Sequence, residues 1–211
     1  MKQLLLSTAY LPPVEYFAFL LTGDALIDGE ERYQKQSYRN RAVILNGNGV
    51  LNLIIPTVHD QKMGVVKDVR IEYVTPWQRA HWRSIESAYN NTPFYLYYKD
   101  ALKPFFEQKY EYLYDFNTQL TKTLLKALQV DVNIRFSETF SPYEENDLRL
   151  EIHPKKAHKQ DYRYRLENPY YQVFEDKFGF QPNLSVIDLL FNEGPQAVNY
   201  LLSLSKSFEI Q

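Results

Sequence analysis

The opening of the chain constrains the fold more than any other stretch. Residues 2–10 read as a strand that Pro12 and Pro13 terminate, because proline cannot donate to a strand ladder. Val14, Tyr16, Phe17, Phe19, Leu20 and Leu21 then follow almost without a polar break. Pro13 is pre-set for a first helical turn and Gly23 suits a stop, so Val14 to Leu21 reads as a buried helix. Ala25-Leu-Ile between Asp24 and Asp28 is a second short strand. Strand, helix and strand in this order predict a βαβ unit with parallel strands.

Downstream, Ala42-Val-Ile-Leu and Val50-Leu-Asn-Leu-Ile-Ile flank Asn46-Gly-Asn-Gly. Asn and Gly tolerate positive φ, so this is a hairpin. Val65 to Val74 is predicted as a further strand. Thr75 and Pro76 open a helix on which Trp77, His81, Ile85 and Tyr89 recur every four residues. A second long helix is expected over about 104–128, a late strand over 132–136, and a helix from Asn168-Pro169 to about Phe178. Ser185 and Asp188 read as capping residues of a short helix that Gly194-Pro195 ends, and a last helix runs to about Leu204. The fold class expected is α/β or α+β within one domain, residues 1–211. A mixed, partly parallel sheet comes from about 1–75, and about 76–211 are mostly helical apart from the late strand.

Composition removes several functions. The chain has no Cys, which excludes thiol nucleophiles and disulfides. Net charge is −2, without the basic excess of a general nucleic-acid binder. No apolar run approaches the ~20 residues that span a bilayer. The N-terminus is broken by proline too early for a signal peptide, so a cytoplasmic location is expected. Neither phosphate-cradling glycine loop occurs, nor a nucleophile elbow. The four His at 59, 81, 153 and 158 lack zinc spacing. No metal and no cofactor is therefore expected. With 18 Tyr and 13 Phe, the chain is well supplied for stacking on sugars or bases, although Tyr equally fills core edges.

Four stretches carry a family resemblance: Ser7 to Phe17; Tyr33 to Arg41 with Ile54-Ile55-Pro56; Trp77, His81, Ile85, Tyr89 and Pro93-Phe94; and Pro182 to Gly194. Together they resemble the bacterial WbqC-like family, in a form similar to Bacteroidetes members. The Ser37-Tyr-Arg-Asn-Arg41 run is the most specific of these matches. The resemblance implies a role in O-antigen or other surface-glycan synthesis, as a transferase that decorates a sugar, for instance with glycine. This chain departs from the family at Ser7-Thr8, where a Gln-Pro pair is expected.

Candidate site residues follow from chemistry and position. Lys35, Ser37, Tyr38, Arg39, Asn40 and Arg41 precede a hairpin strand. If extended, Arg39 and Arg41 point to one side, where two guanidinium forks suit a phosphate or carboxylate. Basic residues also protect strand edges from pairing. His81 shares a stripe with Trp77 and is either a general base near neutrality or a hydrogen-bonded core residue. Tyr10 lies at the carboxyl end of the first strand, where α/β sheets bind ligands. Asp24, Asp28, Ser137 and Glu138 are weaker candidates for acid–base work or binding. The basic run 153–165 either clamps an anion or is a solvated loop. Two functions compete. One is a transferase acting on a phosphorylated or nucleotide-linked sugar, a small anionic ligand. The other is a non-catalytic binding or scaffold protein using an aromatic and basic surface.

Overall fold

The computed structural model describes residues 3–22, 25–58, 64–137, 139, 141, 147–154 and 168–207. In chain order its regular elements are β1 (Leu4–Ser7), α1 (Val14–Leu20), β2 (Ala25–Asp28), β3 (Arg41–Asn46), β4 (Gly49–Ile54), α2 (Trp77–Tyr89), α3 (Tyr95–Leu102), α4 (Leu113–Ala127), β5 (Ile134–Phe136), α5 (Glu175–Phe178), α6 (Val186–Glu193) and α7 (Ala197–Ser207). This is a mixed α/β fold, as expected.

The βαβ unit forms as its pattern predicts. β1 and β2 pair in parallel with Leu4 opposite Ala25 and Ser7 opposite Asp28, and β5 joins the far side of β2, also in parallel. All seven residues of α1 are buried, with α6 and α7 packed against the helix. Each Phe or Leu so enclosed contributes about 1.5–3 kcal/mol. The Tyr16 hydroxyl donates to the Ser7 carbonyl at 2.8 Å and fastens the helix to the end of β1. β3 and β4 form the expected antiparallel hairpin around Gly47-Asn48, with Gly49 at φ 110°.

Residues 184–186 knit the sheet and the hairpin together. Ser185 N donates to Val43 O, Val186 N to Pro12 O, and Val14 N to Leu184 O, at 2.8–2.9 Å. Ser185 does cap α6, its Oγ accepting from Ile187 N. Asp188 does not cap. Its carboxylate turns inward to accept from the Tyr170 hydroxyl at 2.7 Å.

Four sequence expectations give way in the structure. Residues 65–74 do not form a strand. Val66–Asp68 make a 3-10 turn that buries Val66 and Val69, three apart. The chain then borrows single hydrogen bonds from 111–113. Those bonds hold Tyr112 extended, so the helix expected from 104 begins at Leu113. Pro104 instead opens a 3-10 turn that ends α3, a helix the sequence reading missed. Thr75 makes no capping bond, and Pro76 stands outside α2 rather than within it. After Asn168 only Glu175–Phe178 are helical, because the preceding residues are held by side chains. Gly23, Asp24, Glu138 and residues 155–165 of the basic run lie outside the described residues.

No helix among the described residues is long and apolar enough to cross a membrane.

Candidate functional site

The carboxyl ends of the three parallel strands carry a buried charge cluster. Asp28 ends β2, and Ser137 follows β5, tied in by its N–H to the Ile27 carbonyl at 3.1 Å. The Ser137 hydroxyl donates to Asp28 Oδ1 at 2.7 Å and accepts from Gly29 N at 3.0 Å. Glu30 N also donates to Asp28 Oδ1, at 2.8 Å. Asp28 Oδ2 takes an ion pair from Arg149 Nη1. Residues 147–149 reach this point because Leu148 N donates to Leu5 O at 2.9 Å, which lays the segment along the free edge of β1. Arg149 also forks onto Asp147, with Nη2 to Oδ2 at 2.7 Å.

Beside this pair stands a second one. Arg39 grips Glu31 with Nε to Oε1 at 2.8 Å and Nη2 to Oε2 at 2.5 Å. The side chains of Arg39, Arg149, Asp28 and Glu31 are all at most 4% exposed. Burial pushes the Glu31 carboxyl up, and the Arg39 guanidinium pulls it back. Removing one partner of such a pair strands the other and costs about 3–5 kcal/mol. Open α/β sheets bind ligands outside the carboxyl ends of their strands, which makes this buried cluster with its raised Glu31 carboxyl a candidate site. Tyr114 roofs the cluster. A Cβ on Gly29 would lie 2.9 Å from its Cζ, so the backbone must pass here as glycine.

An aromatic layer lies next to this cluster. Tyr10 and His81 stack with centroids 5.8 Å apart, Trp77 meets His81 edge-on at 5.2 Å, and Phe116 completes the layer. The Tyr10 hydroxyl is 3.0 Å from His81 Nδ1, while a ring N–H of His81 reaches the Ile54 carbonyl. Burial lowers the His81 pKa to about 4, well below neutrality, and the imidazole is neutral at pH 7.

The Ser37–Arg41 run bridges the two groups. Tyr10 N donates to Tyr38 O at 2.8 Å, and Asn117 Nδ2 donates to Arg39 O at 2.8 Å. Asn40 Nδ2 donates to Ile55 O at 2.9 Å, and Ser37 Oγ to Gln34 O at 2.6 Å. The two arginines do not act as one fork. Arg39 is buried and paired, whereas Arg41 starts β3 partly exposed, its Nε buried without a hydrogen-bond partner. Lys35 is exposed on the loop before them. Tyr10, Trp77 and His81 are thus gathered into one layer, and Tyr38 to Arg41 link it to the charge cluster. Among the described residues no three His, Asp or Glu converge as metal ligands.

Sequence reasoning missed Glu31, Asp147, Arg149 and Asn117. Glu31 carried a signal, since it stands three residues beyond the Asp28 strand end. Asp147 and Arg149 sit in a charged stretch with no periodicity to place them.

A family model described as the WbqC-like protein family matches this chain over two overlapping segments, residues 8–165 and 156–200. An uncharacterized protein of Mycobacterium tuberculosis (strain ATCC 25618 / H37Rv) is 24% identical over 225 residues, covering 95% of this chain and 97% of its own. No solved structure matches.

Proposed function

From the premise that this chain belongs to the WbqC-like protein family, we propose that it is a transferase of surface-polysaccharide biosynthesis acting on a phosphorylated or nucleotide-linked sugar. The observation that carries the proposal is the pair of interlocked, buried ion pairs at the carboxyl ends of the parallel strands. Asp28, fully buried and held by Ser137 and Arg149, acts as a positioning residue that fixes the strand ends beneath the site. Arg41 and Lys35 bind the anionic group, because Arg41 Nε is unpartnered and Lys35 is exposed. Tyr10, Trp77 and His81 form the wall behind the Ser37–Arg41 run. His81 serves there as a neutral hydrogen-bonding residue that holds the Tyr10 hydroxyl.

A thermal-shift screen against nucleotide sugars and sugar phosphates tests this reading. A ligand at a hundred times its Kd adds roughly 2.7 kcal/mol, which moves the melting temperature visibly. The expected result is a shift with at least one sugar phosphate or nucleotide sugar that Arg41→Ala removes. A shift that survives Arg41→Ala unchanged sinks the assignment.

A second reading, a binding or scaffold protein, is favoured by one observation. α3 presents Leu96 at 69% and Tyr97 at 73% exposure, next to each other in sequence. That reading expects Leu96→Ser and Tyr97→Ser to abolish capture of a partner while leaving thermal stability unchanged.

A further inference from the structure

Outside the charge cluster, the buried group with most unexplained chemistry is Asp188. It projects from α6 into the interior and is 1% exposed. Its Oδ2 accepts from the Tyr170 hydroxyl at 2.7 Å, and the Tyr89 hydroxyl of α2 and the Gln172 amide also approach the carboxyl group. Tyr89 and Tyr170 are the titratable groups that face it from the neighbouring elements, and both are buried phenols whose pKa burial raises. No cation among the described residues bears on it. Asn192, one turn further along α6, uses its amide on the Asp188 carbonyl and adds no charge.

This carboxyl group is also a fastener. Residues 168–181 contain one turn of helix, and most of their backbone hydrogen bonds stay within the segment. Side chains dock it. Tyr170 reaches Asp188 and packs edge-on against Phe180 and Tyr200, with centroids 5.3 and 5.1 Å away. Gln172 is 1% exposed and exchanges two 2.9 Å hydrogen bonds with the Gln181 backbone while approaching Asp188. A carboxylate ionised in this place has neutral donors and no counter-ion, and burying an unpaired charge costs several kcal/mol. Water can reach and relieve it only if Tyr170 and Gln172 move off, which opens the segment locally.

We propose that Asp188 is a pH-sensitive latch: protonated, it holds residues 168–181 onto α6 and α7, and ionised, it lets that segment open. Burial pushes the carboxyl pKa up to about 6, so the hold weakens as pH rises above the ordinary carboxylate range and is lost once pH passes about 6. The latch is independent of the transferase assignment.

Hydrogen–deuterium exchange of the full chain at pH 5, 6, 7 and 8, with times scaled to the intrinsic exchange rate at each pH, tests it. Protection of peptides within 168–181 is expected to fall about tenfold or more from pH 5 to pH 8, while peptides of α4 hold constant. Asp188→Asn keeps the shape without the charge and is expected to abolish the fall. Tyr170→Phe removes a donor that favours the ionised form, so the midpoint of the fall is expected to move to higher pH. Equal wild-type protection at pH 5 and 8, a fall that persists in Asp188→Asn, or an unmoved midpoint in Tyr170→Phe each overturns the latch.

Discussion

Two buried titratable groups oppose one another across weakly acidic pH, and the wild-type protein hides both. Burial lowers His81 from 6.5 to about 4. Its folded form refuses a proton that the unfolded chain accepts, so the stabilisation is full above 6.5 and is lost as pH falls toward 4. Burial raises Asp188 from 3.8 to about 6. Its folded form keeps a proton that the unfolded chain releases, so that stabilisation is full below 3.8 and is lost as pH rises through 6. Each shift corresponds to about 3 kcal/mol, at 1.36 kcal/mol per pH unit. Between pH 4 and 6 the two contributions nearly cancel. Urea denaturation followed by tryptophan fluorescence separates them, since Trp77 is buried and Trp82 packs on Tyr95 and Phe106. Subtracting each variant's profile from the wild type's removes the surface carboxylates common to both. From pH 4 to 6 the wild type is expected to gain about 2 kcal/mol relative to His81→Gln and to lose about 2 kcal/mol relative to Asp188→Asn. Difference profiles that stay flat for both variants refute the reasoning, and so does either slope with the opposite sign.

Other expectations follow from packing and backbone. Glu31→Ala leaves Arg39 buried without its partner and is expected to lose about 3–5 kcal/mol by denaturation, whereas the joint replacement Glu31→Leu with Arg39→Met recovers most of that loss. Gly194→Ala places a Cβ 2.5 Å from the Phe94 ring at φ 55°, and its melting point is expected to drop by an amount equivalent to about 3 kcal/mol. Gln129 is exposed just beyond the end of α4 at φ 56°, so Gln129→Gly is expected to stabilise by about 0.5–1 kcal/mol, measured by urea midpoint.

Where local pattern and tertiary contact agree, the fold was legible in the sequence. The βαβ opening, the Asn-Gly hairpin and the α2 stripe bury what their spacing says they bury, and the late strand forms with Ile134 and Phe136 half-buried. The pattern misled where single cross-chain bonds decided the backbone. Residues 69–71 and 111–113 bond to each other, which dissolves one expected strand and shortens one expected helix. The candidate site divides in the same way. Tyr10, Trp77 and His81 share periodic elements and were readable as neighbours. The division of labour between Arg39 and Arg41 was not readable, because it depends on Glu31, eight residues upstream of Arg39, and on a turn that buries one arginine and not the other. Arg149 arrives along the edge of β1 from a segment with no repeat to betray it. Asp188 fits a capping pattern letter for letter, yet its side chain serves the core.

The most direct test of the central claim is a hydrogen–deuterium exchange footprint of the wild-type chain with the sugar phosphate or nucleotide sugar that shifts its melting point. The account predicts added protection in peptides covering residues 28–41 and 134–137, where the strand ends and the Ser37–Arg41 run meet. Protection confined to α3 around Leu96 and Tyr97, or found nowhere near the strand ends, contradicts it.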